Sequence, residues 1–184
     1  MGPAPRQSSD AASGVREATP GDIERVAEIK VRNWADTYGP LVPSGVLGPF
    51  LDKDKSAAQI RELMRSPQIL LLVGPGTGVV QGFALTYMER PPEPWLESLH
   101  VMSEERGRGL GRQLMRETAN RLLAAGYRSM SLGVIIGNDR AARFYERLGG
   151  VPMRVEAVGF ADGVEHTVWR WPDLTALVKD PGLS

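Results

Sequence analysis

The chain has 184 residues, 42% of them hydrophobic and 24% charged, and its 22 basic and 22 acidic side chains cancel to a formal net charge of zero. That length suits one domain with a substantial core. The charge balance argues against broad electrostatic binding to nucleic acid or an anionic membrane, and the lack of cysteine removes disulfides, thiolate metal sites and a cysteine nucleophile.

Residues 1–12 are polar and rich in Pro, Ser and Ala, and read as a disordered N-terminal tail without an apolar signal core. No run approaches the ~18 apolar residues of a membrane span, so the expected location is the cytoplasm. A single domain is expected over residues 13–172, with a C-terminal tail over 173–184. Val15 to Ala18 reads as a first strand. Thr19-Pro20 is a helix start, Thr as N-cap and Pro at the first helical position. Ile23, Val26, Ala27, Val31 and Trp34 then repeat at helical spacing until Gly39-Pro40. Residues 40–50 form an apolar, Pro/Gly-rich loop with Leu41, Val42, Val46, Leu47 and Phe50. A loop so apolar has to bury somewhere, either over the core or as the wall of a pocket.

Lys53 to Arg65 is an amphipathic helix broken by Ser66-Pro67. Ile69 to Val73 and Val79 to Met88 are paired strands around Gly74-Pro75-Gly76-Thr77-Gly78. Trp95 to Val101 is a further strand. Gly109 to Ala125 is a helix closed by Gly126, and Met130 to Val134 alternates like a strand. Strand, helix and strand in succession make those two strands parallel. Asn138 caps the next helix, which Gly149-Gly150 stops. Val151 to Val158 and Val164 to Trp171 form a hairpin through an Asp-Gly turn. Its Val168, Trp169 and Trp171 either cover the core or join two copies in a homodimer. Asp173 to Lys179 adds a turn of helix. The fold class is α/β, a mixed sheet with an antiparallel first half, a parallel unit and a closing hairpin.

The stretch from Leu99 to Arg112 carries the chemistry. A strand end runs through an acidic turn into Arg106-Gly107-Arg108-Gly109-Leu110-Gly111-Arg112 and then directly into a helix. Glycines let the backbone approach a ligand closely, and the bare N–H groups of a helix start, with its positive dipole end, suit a phosphate or pyrophosphate. A tight turn with ordinary surface arginines would read the same way locally. The P-loop is excluded because the chain has no Gly-Lys, and the dinucleotide fingerprint fails on its third glycine. With only His100 and His166 as histidines, the expected metal complement is none.

Arg106 to Gly111 fits the pattern Gln/Arg-x-x-Gly-x-Gly/Ala, and Asn138 to Gly149 fits Asn-x-x-Ala-x-x-Phe/Tyr-Tyr-x-x-x-Gly. With the strand Leu96 to Val101 before the loop, and Trp34-Ala35-Asp36-Thr37-Tyr38 and Leu41-Val42-Pro43 upstream, residues 14–171 resemble the GNAT superfamily of N-acyltransferases. The resemblance implies a fold in which the two parallel strands splay and a thioester enters the gap. It implies acetyl-CoA as co-substrate, with backbone groups of Leu99 and Val101 on the pantetheine arm, the amides and arginines from Arg106 through Gly107, Arg108, Gly109, Leu110 and Gly111 to Arg112 on the pyrophosphate, and Asn138 beside the arm. It implies an amine acceptor, either a small molecule or a peptide or protein amine.

Tyr145 stands at the family's tyrosine, near the thioester sulfur, and a phenol with an ordinary pKa of ~10 is protonated at neutral pH and can act as general acid. The plain alternative is an aromatic packed on the sheet. Glu97 is a carboxylate within an apolar strand; desolvation would raise its pKa and suit it to act as general base. A surface or salt-bridged glutamate is the alternative, and the family's best-known glutamate base sits two positions earlier, at Trp95 here. Trp34 and Tyr38, four apart on one helix face, frame an acceptor or pack in the core. His100 is a candidate acceptor contact or base, although strict alternation sets it on the strand face opposite Glu97 unless a bulge re-aims it. Other acyl-CoA donors and a non-catalytic acyl-CoA sensor remain open on sequence.

Overall fold

The computed structural model describes residues 14–179. The tail expected over 1–12 lies outside the described residues. Seven strands form one sheet in the order β1-β2-β3-β4-β5-β7-β6. They are β1 (Arg16–Glu17), β2 (Ile69–Gly74), β3 (Gly82–Tyr87), β4 (Trp95–Val101), β5 (Met130–Ile135), β6 (Val151–Ala157) and β7 (Glu165–Trp171). The helices are α1 (Ile23–Tyr38), α2 (Ser44–Leu47), α3 (Lys53–Leu63), α4 (Leu110–Ala124), α5 (Asp139–Arg147) and α6 (Thr175–Lys179). Strands β1 to β4 are antiparallel, β4 and β5 parallel, and β5, β7 and β6 antiparallel. This is the expected mixed α/β architecture.

β2 explains why an unbroken apolar run was needed. Its alternation sends Leu71 and Val73 to one face, with Ile23, Val26 and Ile29 of α1 and Ala57 and Ile60 of α3. Leu70 and Leu72 go to the other, with Leu114, Met115 and Leu122 of α4. Both faces are covered by helices, so neither can be polar.

Several expectations are corrected. The buried stripe of α1 includes Ile29 rather than Val31, which is half-buried. Residues 40–50 are not irregular: they hold α2 and a 3-10 turn, Gly48–Leu51. Val79 lies outside β3 and is 64% exposed. Leu174 and Leu177, in the stretch expected as a C-terminal tail, are buried in the core beside α4. In the final hairpin Val168, Trp169 and Trp171 are buried, so they cover the core.

The junction of β4 and β5 positions the site. Their register holds only Trp95 opposite Ser131, after which the strands diverge. A buckle closes the vertex: Glu93, just before β4, receives Arg170 of β7 through Nε at 2.8 Å and Nη2 at 3.0 Å, and the hydroxyls of Ser129 and Ser131. Burial works to raise the Glu93 carboxyl, but these hydrogen bonds outweigh it and leave it below the ordinary carboxylate range.

A second ionic clamp fixes the start of α1 to β1. Asp22 receives both Arg16 nitrogens, at 2.8 and 3.0 Å, and the backbone N–H and hydroxyl of Thr19. The Arg16 hydrogen bonds, against a smaller opposing effect of burial, hold its carboxyl down at about 2, from an ordinary 3.8. A depressed carboxylate stabilises the fold above its unfolded pKa and stops doing so as pH falls through its folded value. We therefore expect Asp22→Asn to cost about 2 kcal/mol at pH 7 and much less near pH 2. Urea unfolding of both proteins at several pH values checks this; a gap that does not close in acid refutes the assignment.

Candidate active site

The divergence of β4 from β5 lies along a cavity of about 1030 Å³. One side is lined by the loop before α4 and by α5, the other by α1, α3 and the β6–β7 hairpin.

On the first side, Gly107 and Gly109 have φ of +81° and +90°, the left-handed region that favours glycine. Gly109 is the N-cap of α4, and no side chain caps the helix. The first intrahelical bond runs from Gln113 N to Gly109 O at 3.0 Å, which leaves the N–H groups of Leu110 and Gly111 at the open helix start. Gly111 is small for a different reason: a Cβ there would stand 3.3 Å from the Phe144 ring, so α4 and α5 approach closely across it. This cradle of bare amides at a helix start, with Arg112 and Arg140 also lining the cavity, fits a diphosphate.

The arginines divide their work. Arg112 lines the cavity, whereas Arg108 is exposed and pairs with Glu105 at 3.4 Å. Arg106, expected to add charge for the pyrophosphate, also lines the cavity and has partners within the chain. Its Nε donates to Val101 O at 3.1 Å and its Nη2 to Asn33 Oδ1, and the buried Asn33 itself donates to Ile29 O at 3.0 Å. Arg106 therefore ties the loop to β4 and to α1. Asn138 caps α5 by accepting from Ala141 N at 3.3 Å. It lines the cavity, but its oxygen serves the helix.

β4 presents its free edge to the gap. Met102 N bonds Gln81 O of the chain before β3 at 2.8 Å, so alternation turns the peptide groups of Leu99 and Val101 away from β3. Beyond Trp95 no β5 residue is in register with them. Val101 O is taken by Arg106, which leaves the Val101 N–H and both Leu99 groups facing the gap.

A bulge decides the other face. Leu85 pairs with Ser98 but Thr86 pairs with Leu96, so Glu97 is an extra residue. Strict alternation separates Glu97 from His100; the bulge re-aims the strand and turns both toward α1. His100 is buried against Phe83, and burial, with Lys30 and Arg106 nearby, pulls its pKa down to about 3. That imidazole is neutral at physiological pH and a poor base, although it lines the cavity. Glu97 also departs from expectation. Its side chain is 44% exposed, stands 3.6 Å from Arg90, and accepts from Trp95 Nε1 at 2.9 Å. The desolvated carboxylate read from sequence is absent; the salt-bridged alternative holds.

Tyr145 is 8% exposed, edge-on to Trp171 and Phe144, and lines the cavity. Burial, reinforced by Tyr38, pushes its phenol well above the ordinary value. Trp34 and Tyr38 do share a face, with ring centroids 4.7 Å apart. Trp34 also stacks on Phe50 at 4.3 Å, and Phe160 of the hairpin turn meets both edge-on, at 5.6 and 5.2 Å. Phe50 was foreseen as part of an apolar wall. Phe160, Lys30, Arg90 and Arg140 were not singled out, yet all line the cavity. Phe160 gave no signal, being one residue in a turn. Lys30 did, since it sits at helical spacing from Val26, Ala27 and Trp34.

Comparison with known proteins agrees with this geometry. Residues 29–150 match the model of the acetyltransferase (GNAT) family. The chain is 30% identical over 175 residues to the uncharacterized N-acetyltransferase YuaI of Bacillus subtilis, covering 89% of this chain and 95% of that one. An uncharacterized N-acetyltransferase of Mycobacterium tuberculosis, Rv2669, is 25% identical over 128 residues, covering 70% and 82%. Among solved structures, the PaiA N-acetyltransferase of Thermoplasma acidophilum in complex with coenzyme A has a TM-score of 0.70 at 18% identity, over 85% of this chain and 96% of that one. YncA of Salmonella typhimurium, a putative acetyltransferase with acetyl-CoA, has 0.67 at 22% identity, over 87% and 92%. An open-ended gap between β4 and β5, an uncapped α4 start beside it and a family match over most of the sheet lead to one conclusion: the chain belongs to the GNAT acetyltransferase family.

Proposed function

We propose that this protein transfers an acetyl group from acetyl-CoA to a primary amine by direct attack on the thioester. The observation that carries the reading is the gap itself, lined by an uncapped helix start, a buried phenol and an aromatic, charged pocket. The coenzyme A and acetyl-CoA complexes of the two structural relatives support the choice of donor.

In this reading the N–H groups of Gly107, Gly109, Leu110, Gly111 and Arg112 receive the diphosphate, Arg112 adds charge, and Arg106 holds the loop in place. The free edge of β4 at Leu99 and Val101 pairs with the pantetheine amides as a strand would, and Asn138 borders the arm. Trp34, Tyr38 and His100 wall the acceptor side. The amine lone pair forms the N–C bond and the C–S bond breaks. Tyr145 gives its proton to the departing sulfur and recovers one from solvent. Glu97, the carboxylate on the acceptor face of β4, receives the surplus proton of the amine through water.

A thiol-release assay with acetyl-, propionyl- and succinyl-CoA against an amine panel tests the reading. Amine-dependent release is expected, fastest with acetyl-CoA. Failure of every donor to release thiol when amine is added would end it.

A further inference from the structure

The acceptor half of the cavity contains a cation without a counter-ion. Lys30 lies on the stripe of α1 that lines the cavity and is half-buried. Among the described residues no carboxylate stands within ion-pair distance of its Nζ, and the side chain makes no hydrogen bond.

The other charges on this side are already paired. Glu97 faces Arg90 at 3.6 Å and the Trp95 indole at 2.9 Å, and it acts on Lys30 only from beyond ion-pair distance. Glu62 pairs with Arg65 at 2.8 Å. Arg90 also lies over the Trp95 ring, 4.3 Å from its centroid. Burial pulls the Lys30 ammonium below the ordinary lysine range, with Glu97 only partly opposing it. An ammonium is kept at such a place at a cost unless something negative arrives to meet it. A simple amine or polyamine would bring a second positive charge to it.

We infer that the acceptor is an amine that also carries an anionic group, of the α-amino acid kind: Lys30 binds the anion, the amine faces the gap, and the apolar side chain lies toward Trp34, Phe50 and Phe160. This rests on the transferase reading above and narrows its substrate class. The arrangement also helps the chemistry, because a cation near the bound acceptor favours the unprotonated amine that attacks.

Matched acceptors test it in the full chain. Leucine is compared with leucinamide, 3-methylbutylamine and the aminophosphonate analogue of leucine, and phenylalanine with the corresponding set. Members carrying the anion are expected to have kcat/KM at least roughly tenfold above the neutral ones, since a hydrogen bond to a charged partner is worth about that factor or more. Lys30→Met is expected to raise KM for the anionic members and narrow that ratio, and Lys30→Arg to restore part of it. The carboxylate and phosphonate arms show which anion the site prefers. If neutral amines match the acids, or the ratio survives Lys30→Met, the inference is overturned and the transferase reading stands. If no member of either class is turned over although another amine of the panel is, the inference alone falls; if coenzyme A binds and no amine of any kind releases thiol, both fall.

Discussion

Tyr145→Phe is expected to lower kcat by about 10²- to 10⁴-fold, the range for loss of a positioned general acid, while leaving coenzyme A affinity and the fold intact. The structure makes this a clean substitution. The ring is held edge-on by Trp171 at 5.7 Å and by Phe144 at 5.2 Å, and these contacts survive loss of the hydroxyl. Among the described residues the phenol makes no hydrogen bond, so its removal strands no buried partner. Burial pushes the group toward its neutral form, so it holds its proton across the working pH range and can deliver it to a thiolate formed beside it. Thiol release gives kcat, calorimetric titration gives the coenzyme A Kd, and a melting curve reports the fold. An unchanged kcat would remove Tyr145 from the chemistry. A Tyr145→Ala variant would be less informative, because an emptied aromatic site costs about 3–5 kcal/mol in stability and confuses the two effects.

The parts of this fold legible in the sequence are those that local chemistry dictates. The Thr19-Pro20 start, the apolar run of β2, the glycine loop before α4 and the Asp-Gly hairpin each carry their signal within a few residues. What was not legible depends on register across strands. The bulge at Glu97 comes from how β4 meets Leu85 and Thr86 of β3. Without it, alternation puts Glu97 and His100 on opposite faces; with it, both turn to α1. The choice between a desolvated and a salt-bridged Glu97 turns on the same feature. Its strand is apolar, but at the bulge Arg90 and the Trp95 indole meet the carboxylate.

Arg106 shows a different limit. Its place in a basic loop was plain, but a buried amide on α1, 73 residues earlier, decides where its guanidinium goes. Lys30 lay within reach of sequence reasoning. A stripe of Val26, Ala27, Lys30 and Trp34 puts a charge where the helix should be apolar, and that mismatch between local pattern and global fold marks a functional position.

The largest effect on binding is expected at Gly109. Replacing it with valine should weaken coenzyme A binding by at least about 100-fold, the loss of two hydrogen bonds to a charged partner at ~1.5 kcal/mol each. Space is not the reason: a Cβ at Gly109 would meet no atom within 4 Å. The backbone is, because φ is +90° and a β-branched residue is strongly disfavoured there. Relief requires rotation of the peptide that begins α4, and the N–H groups of Leu110 and Gly111 would then no longer converge on one anion. Gly126 supplies the control. It also has positive φ, +93°, it follows the other end of α4, and it does not line the cavity. Gly126→Val should therefore carry a similar backbone cost of about 1–3 kcal/mol in stability and bind coenzyme A like the parent. If Gly109→Val, folded by the same melting criterion, bound coenzyme A normally, the α4 start would not be the diphosphate site. If both valine variants lost binding equally, the effect would be one of stability and not of the amides at the helix start.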